Sequence, residues 1–453
     1  MQPVWESGVS AFMTQMQYTD LSRPVEGQEE RPPLEVALLT WEYPPIPTAK
    51  GRAACEVAHG LAAHGVNVRV FTMDRDDTVR TDHSRIEVIG CANRITGLRR
   101  LMRKLPGLDH LAAAAAFRER VHEEHERRPF DLIETTNSAA PAAMLADSGL
   151  PFVVRASAPY ALDAVEATGF SNRLRSYIAM GLEARSVEKS DALISNSRAH
   201  AGAIKDWYDL KPGNIHMVTP LSVDPEIRKA GASAPYPPAH ARLRLAYVGD
   251  DSARKGFAET LQAFDQIVDH ARRAGEPLPE LHMIGIEPGV LERRLPKLGL
   301  NADTRGQLFD YGRLIDSSMI HVLARCHGVL APSRYQSFGA VYHEAAALGR
   351  PLVACAEDAT ATDFVRRHGT GILADTCSAD DIAAATIELF SDRERLMECR
   401  RAGLEHAQAW TRESLGAKTL QVYRRAMHLQ PIEIPGARQA ATPRHTPLNK
   451  HHA

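Results

Sequence analysis

The sequence predicts an α/β chain of two consecutive doubly wound domains, each a mostly parallel sheet covered by helices. Three observations carry that prediction. The chain has 453 residues, too many for one ordinary core and suited to two domains of roughly 180–220 residues. Short apolar runs alternate with helix-period segments, the signature of βαβ units, and the alternation stops and restarts once. The interruption is a proline- and alanine-rich stretch, GASAPYPPAHARLR, from Gly231 to Arg244, which reads as a linker.

Residues 1–33 are polar, end in PVEGQEERPP and are expected to be disordered. The first domain, 34–228, opens on a strand at Val36–Thr40. A proline-stiffened loop follows, then a helix over Arg52–His64 with Gly65 placed for a left-handed C-cap. Ligands of open α/β sheets sit beyond the carboxyl ends of the strands, so this loop, with Tyr43, Lys50 and Gly51, is a candidate cleft wall. Gly51 would let backbone amides approach an anion; an ordinary βα connection explains the same residues. Further strands are expected at Val68–Met73, Ile86–Cys91, Leu132–Thr135, Phe152–Arg155, Ala192–Ser195 and His216–Val218. Asp74 and Asp76 follow a strand as a metal-binding acidic pair would, but acidic residues there are common and no metal site is assigned. In RITGLRRLMRKLPGL, Leu98, Leu101, Met102 and Leu105 are interleaved with Arg99, Arg100, Arg103 and Lys104. That is the pattern of a basic helix on an anionic membrane, and equally of a solvated surface helix.

The second domain, 229–409, restarts with strands at Leu245–Val248, His282–Gly285, Leu308–Tyr311, Gly328–Ala331, Leu352–Ala354 and Gly371–Leu373. Helices are expected at Phe257–Ala271, Ser317–Arg325, Ala340–Leu348 and Ala379–Phe390. Behind its first strand, Arg254 and Lys255 precede Gly256 at a helix mouth. Two cations and a helix N-terminus there suit a diphosphate, with a solvated basic pair as the alternative. The richest stretch is LAPSRYQSFGAVYHEAAALGRPLVA. Its loop carries Gln336, Ser337, Phe338 and Gly339, whose amides would face an anion at the next helix mouth. Glu344 lies inside that helix among alanines, where a carboxylate needs a partner, either a ribose diol or an arginine of the fold. A helix over 410–430 is expected to pack back on the first domain, and 431–453 to be disordered.

Composition narrows the function. Apolar residues make up 44% and charged residues 24%, with a formal net charge of −2. That is a globular chain with no global field for nucleic acid. Six cysteines without a CxxC pair suggest reduced thiols and no zinc site, and the histidines form no metal motif. No basic-then-apolar start and no apolar run of ~18–20 residues is present. The expectation is a cytoplasmic chain, peripheral at most to the inner face of the membrane. The absence of a GxGxxG after a strand weakens a dehydrogenase reading.

From Val36 to Trp410 the chain resembles glycosyltransferase family 4, whose members are retaining enzymes of the GT-B fold, two Rossmann-like domains facing each other across a cleft. The resemblance rests on TWEYPP, DLIETT, PFVVR, SDALISNSRAH, VTPLSVD, the RKG mouth and PSRYQSFG…HEAAALGRPLV, in the family's order and spacing. It implies transfer of a hexose-type sugar from a nucleoside diphosphate sugar to an alcohol acceptor, glycolipid, polysaccharide or small natural product, with no metal. Arg254 and Lys255 would stabilise the leaving diphosphate, Glu344 would bind ribose, and Gly249, Gln336, Ser337, Phe338 and Gly339 would complete the donor site. Four positions depart from the family. Gln336 stands where the first of two glutamates is usual, and Asp250, after Gly249, replaces an arginine. Thr48-Ala49-Lys50-Gly51 replaces a glycine pair, and Ser157 replaces a cleft histidine. These departures leave two rivals, a degenerate GT-B scaffold partnering an active transferase and a GT-B nucleotide-sugar epimerase.

Overall fold

The computed structural model describes residues 32–428 apart from 78, 165–168 and 211–214. The segments expected to be disordered lie outside the described residues except for positions 32 and 33. The first sheet contains β1 (Glu35–Thr40), β2 (Asn67–Thr72), β3 (Val79–His83), β4 (Ile86–Gly90), β5 (Leu132–Thr136), β6 (Phe152–Arg155), β7 (Ala192–Ser195) and β8 (Ile215–Val218). Their order is β3-β4-β2-β1-β5-β6-β7-β8. The second contains β9 (Arg244–Val248), β10 (Glu280–Ile284), β11 (Leu308–Asp310), β12 (Gly328–Ala331), β13 (Leu352–Cys355) and β14 (Gly371–Ala374), ordered β11-β10-β9-β12-β13-β14. Neighbours run parallel except β3, which is antiparallel to β4. Strand order reverses beside β1 and beside β9, and a crevice opens beyond the carboxyl ends at such switch points.

Every strand expected from the apolar runs is present, with ends shifted by a residue or two. Among the described residues only β3 is additional. All its residues are exposed, so no buried face imposes an apolar pattern on it.

The helix after β1 spans Ala49–Ala62, because the Thr48 side chain caps it by accepting from Gly51 N at 3.1 Å. It therefore starts earlier than the apolar pattern suggests. Gly65 is left-handed, with φ +79°, and closes the helix as expected: Gly65 N donates to Ala62 O at 3.0 Å and Val66 N to Leu61 O at 3.2 Å, the paired bonds of a glycine C-cap. Between the sheets, Asp224 caps a helix at Pro225–Ser233, the Asp-Pro start that favours helix initiation. The helix runs across the expected boundary after 228 and takes in the first residues of the linker. Its Ile227 packs with Val341 and Ala345 in the core of the second lobe.

The last helix, Arg412–Ala426, returns to the first lobe. Leu415, Leu420 and Tyr423 join Val57, Leu61 and Val70 in one buried cluster. The helix crosses Ala49–Ala62 backbone to backbone: a Cβ on Gly416 would stand 1.9 Å from the Gly60 carbonyl oxygen. Under the sheet, Arg155 Nε donates to Glu134 Oε1 at 2.7 Å, and Tyr423 Oη donates to Glu134 Oε2 at 2.6 Å. Both carboxylate oxygens of the buried ion pair are thereby satisfied, without which the pair would be costly.

Candidate active site

A cleft of about 490 Å³ lies between the two sheets. The first lobe supplies Glu42, Lys50, Arg52 and Ala158, and the second supplies residues around Gly249, Lys255 and Gln336. Two loops of the second lobe converge there: the one after β9, and the one after β12, which ends at the mouth of the helix Ala340–Ala347. Their close approach needs glycine at two positions. Gly256 has φ +68°, and a Cβ on it would stand 2.3 Å from Pro332 O. Gly339 has φ +58°, and a Cβ would stand 2.8 Å from Tyr342.

Lys255 Nζ donates to Gln336 Oε1 at 3.0 Å, and Gln336 Nε2 donates to Ser333 Oγ at 2.8 Å. The neutral amide thus accepts from one neighbour and donates to the other. Burial, and then the adjacent Arg254, push the Lys255 ammonium down to about 8. Arg254 contacts the Tyr335 carbonyl at 3.4 Å. No side chain caps the helix at Gly339, so its mouth keeps the positive end of the dipole for a ligand.

Glu344 is 7% exposed. Its Oε1 lies 3.3 Å from Arg52 Nη2, while its Oε2 is buried without a hydrogen-bond partner among the described residues. Both partners considered for this carboxylate therefore have a place: an arginine holds one oxygen, and the other is left for a donor. Arg52 also reaches Asp316 Oδ1 at 3.3 Å. It ties the first lobe to two elements of the second, and its guanidinium is pushed up mainly by Glu344.

The structure brings Gly249, Arg254, Lys255, Gln336, Ser337, Phe338, Glu344 and Lys50 to this cleft, with Gly339 capping the adjoining helix. Three residues expected there are placed otherwise. Tyr43 is fully buried, with its hydroxyl donating to Asp82 Oδ2 at 3.1 Å. The amide of Gly51 is spent on the Thr48 cap and is not open to an anion. Ser157 is 1% exposed and bound to Asn137 and Thr136; its neighbour Ala158 lines the cleft instead. Asp74 accepts from Tyr43 N at 2.7 Å and pairs with Arg75, so it braces the loop after β1. The pattern reading missed Arg52 and Glu42; basic character at the first helical turn was the available signal for Arg52.

A second hollow, of about 300 Å³, adjoins the cleft through Glu42 and Lys50 and is lined by Trp41, Arg103, His110 and Arg175. Lys50 Nζ donates to Ser138 Oγ at 2.8 Å. Beyond Ser138, Ala139 and Ala140 take φ +52° and +43°, a strained conformation for alanine that clusters at functional sites. Glu183 holds it by accepting from Ala139 N at 2.8 Å. His110 Nε2 is buried without a hydrogen-bond partner among the described residues.

Residues 234–406 match the family model described as glycosyl transferases group 1, and residues 50–220 match the glycosyl transferase 4-like domain. Fold and matches together place the chain with the GT-B glycosyltransferases. The chain belongs to the family 4 type of these enzymes. Among curated relatives it is similar to the D-inositol 3-phosphate glycosyltransferase of Stackebrandtia nassauensis, 29% identical over 284 residues covering 59% of each chain. The chain thus spans under two thirds of that relative's length. Among solved structures, a sucrose-phosphate synthase from Thermosynechococcus elongatus superposes with a TM-score of 0.70 at 19% identity, over 87% of this chain and 99% of that one. The HepE protein of Anabaena, in complex with UDP and glucose, gives 0.58 at 16% identity over 85% and 99%.

Proposed function

We propose that the chain is a retaining glycosyltransferase that moves a hexose-type residue from a nucleoside diphosphate sugar to an alcohol acceptor. The observation that carries the proposal is the meeting, in one interlobe cleft, of Lys255, Arg254, the uncapped helix mouth at Gly339 and the unpartnered Glu344 Oε2. Cations and dipole suit a diphosphate and stabilise it as it leaves. The free carboxylate oxygen suits a ribose hydroxyl. UDP is favoured as the nucleotide, since the Anabaena neighbour was solved with UDP and glucose.

Among the described residues of the cleft no carboxylate stands out as an enzyme nucleophile: Glu42 Oε2 accepts from Thr48 Oγ1 at 2.9 Å, Asp250 Oδ1 accepts from Ser252 N at 3.1 Å, and Glu344 is held by Arg52. The proposed route is front-face attack, in which a leaving-group oxygen takes the acceptor proton. Charge on the diphosphate is met by Arg254 and Lys255, without a divalent ion. The hollow bounded by Lys50, Arg103 and Arg175 takes the acceptor.

The acceptor is proposed to be delivered at an anionic membrane surface. The helix Phe170–Glu188 turns Phe170, Leu174, Tyr177 and Met180 to solvent, with Phe170 83% and Tyr177 76% exposed, and buries Ser176, Ala179 and Glu183. Its apolar stripe faces outward, opposite to what a core requires. Leu98, Leu101 and Leu105 are exposed nearby, where Gly107 packs on Ile178. Arg99 pairs with Glu119 and Arg175 with Asp109, while the exposed Arg100 and Lys104 carry no ion pair among the described residues. Within the described residues no helix is long and apolar enough to cross a membrane.

The test is a thermal-shift screen with UDP-, GDP- and dTDP-sugars, followed by transfer assays in excess chelator and assignment of the product anomer. Stabilisation by a sugar nucleotide, turnover in chelator and a retained configuration are expected. Binding without turnover would favour the scaffold reading. A free sugar product formed without acceptor would favour the epimerase. Loss in chelator that manganese or magnesium restores would return attention to Asp74 and Asp76.

A further inference from the structure

On the far side of the cleft loop, three side chains that the transfer reaction does not use come together. Cys55 and His59 stand one turn apart on the helix Ala49–Ala62 and share a face. Asp82 reaches them from β3, where a register shift between Thr81 and His83 breaks the regular pairing with β4, the kind of irregularity that re-aims a side chain. Cys55 Sγ lies 3.4 Å from His59 Nδ1, and His59 Nε2 lies 3.9 Å from Asp82 Oδ2. One ligand atom from each of the three residues falls within 4.8 Å of the others.

Donors held at about 2.0–2.3 Å around a tetrahedral zinc ion stand roughly 3.3–3.8 Å from one another. The 3.9 Å from His59 Nε2 to Asp82 is near that spacing, and the full set, within 4.8 Å, is wider than it by about 1 Å at most, within reach of side-chain rotation. Supporting groups of the kind that orient metal ligands are also in place. His59 Nδ1 lies 3.0 Å from the Cys55 carbonyl oxygen, and donation there leaves the Nε2 lone pair directed toward Asp82. Asp82 in turn accepts from Tyr43 Oη at 3.1 Å and from Arg80 at 3.4 Å. A thiolate, an imidazole and a carboxylate form a donor set for Zn²⁺; magnesium and calcium take oxygen. Both His59 and Asp82 are about a quarter exposed or less, at 21% and 26% of the side chain, which leaves a path for an ion.

We propose that Cys55, His59 and Asp82 form a three-ligand Zn²⁺ site with its fourth position open to solvent. The site joins the exposed strand β3 to the helix that bears Arg52, and through Tyr43 it braces the loop after β1. Its role is structural and separate from sugar transfer.

The test uses the full chain stripped with chelator and titrated with Co²⁺, then with Zn²⁺ against a chromophoric chelator. One equivalent of Co²⁺ should give a thiolate-to-cobalt charge-transfer band, which Zn²⁺ abolishes. Cys55→Ser should lose the band. His59→Gln and Asp82→Asn, each checked by circular dichroism, should bind Zn²⁺ at least about tenfold more weakly. A wild type with no band, a band that survives Cys55→Ser, or unchanged Zn²⁺ affinity in both other variants would overturn the site. None of these readouts depends on transferase activity.

Discussion

Lys255 has a lowered ionisation, a single side-chain acceptor in Gln336 and a position at the helix mouth. Lys255→Ala should weaken nucleoside diphosphate binding at least about tenfold, the loss of one charge-assisted contact of about 1.5–3 kcal/mol. The pH dependence has a definite sign. With the free-protein ionisation near 8, the ammonium is present below that pH and lost above it, so donor affinity should fall as pH rises through about 8. Calorimetric titration across that range checks this, and Lys255→Arg should flatten the profile. Gln336→Glu would set a carboxylate 3.0 Å from the Lys255 ammonium. It should therefore raise the lysine's ionisation and reduce diphosphate affinity by neutralising the cation. An affinity that instead rises for the native donor would show that position 336 grips the sugar through charge. At this scale the sequence made Lys255, Gln336 and Glu344 legible, because each sits at a fixed offset from a strand end. It did not reveal Arg52, whose partners Asp316 and Glu344 belong to the other lobe. Tyr43 and Ser157 were misjudged for a related reason: the loops that carry them turn inward to hydrogen-bond partners far away in the chain.

Strands were the most legible elements, since a buried parallel strand reads as a short apolar run; the fully exposed β3 carries no such mark. The Cys55–His59 spacing was visible on the expected helix, but it has value only when β3 brings Asp82 to it. Helix contacts set two predictions. Gly416→Ala forces a methyl group into the Gly60 carbonyl and should cost about 1–3 kcal/mol in denaturant unfolding. Gly202→Ala, in the helix Arg198–Trp207 with nothing within 4 Å, should be neutral or stabilising by up to about 1 kcal/mol. For the outward stripe, replacing Arg99, Arg100, Arg103 and Lys104 with glutamine should release the protein from anionic vesicles, each cation outside an ion pair contributing about 1 kcal/mol near the surface. Phe170→Ser with Tyr177→Ser should weaken sedimentation with the same vesicles. A wild type that ignores acidic vesicles at low salt would point to an acceptor taken from solution.

Charged contacts join the two lobes around the cleft, beside Asn196 Nδ2 donating to Ser337 O at 3.3 Å and Phe338 packed against the first lobe's core. Arg52 bridges to Asp316 and Glu344, while Glu56 accepts from Arg412 at 2.6 Å and from Ser222 Oγ at 2.6 Å. Arg52→Ala should free the Glu344 side of the cleft, and small-angle scattering without donor should report a larger radius of gyration that excess nucleotide reverses. An unchanged radius would place the hold on the remaining interlobe contacts, those of Asn196 and Phe338 among them. The path of the chain has a further consequence, for synthesis. The first lobe's core includes Leu415, Leu420, Val422 and Tyr423, yet its last strand ends at Val218. A nascent chain emerging at roughly 5–20 residues per second must wait on the order of 10–40 s between these two points. Throughout that delay the apolar groove that the final helix fills stays uncovered on the ribosome. A gene cut between the lobes would prolong that exposure indefinitely, so the amino-terminal half expressed alone should be captured by chaperones or precipitate, and supplying the final helix as a separate peptide should rescue it.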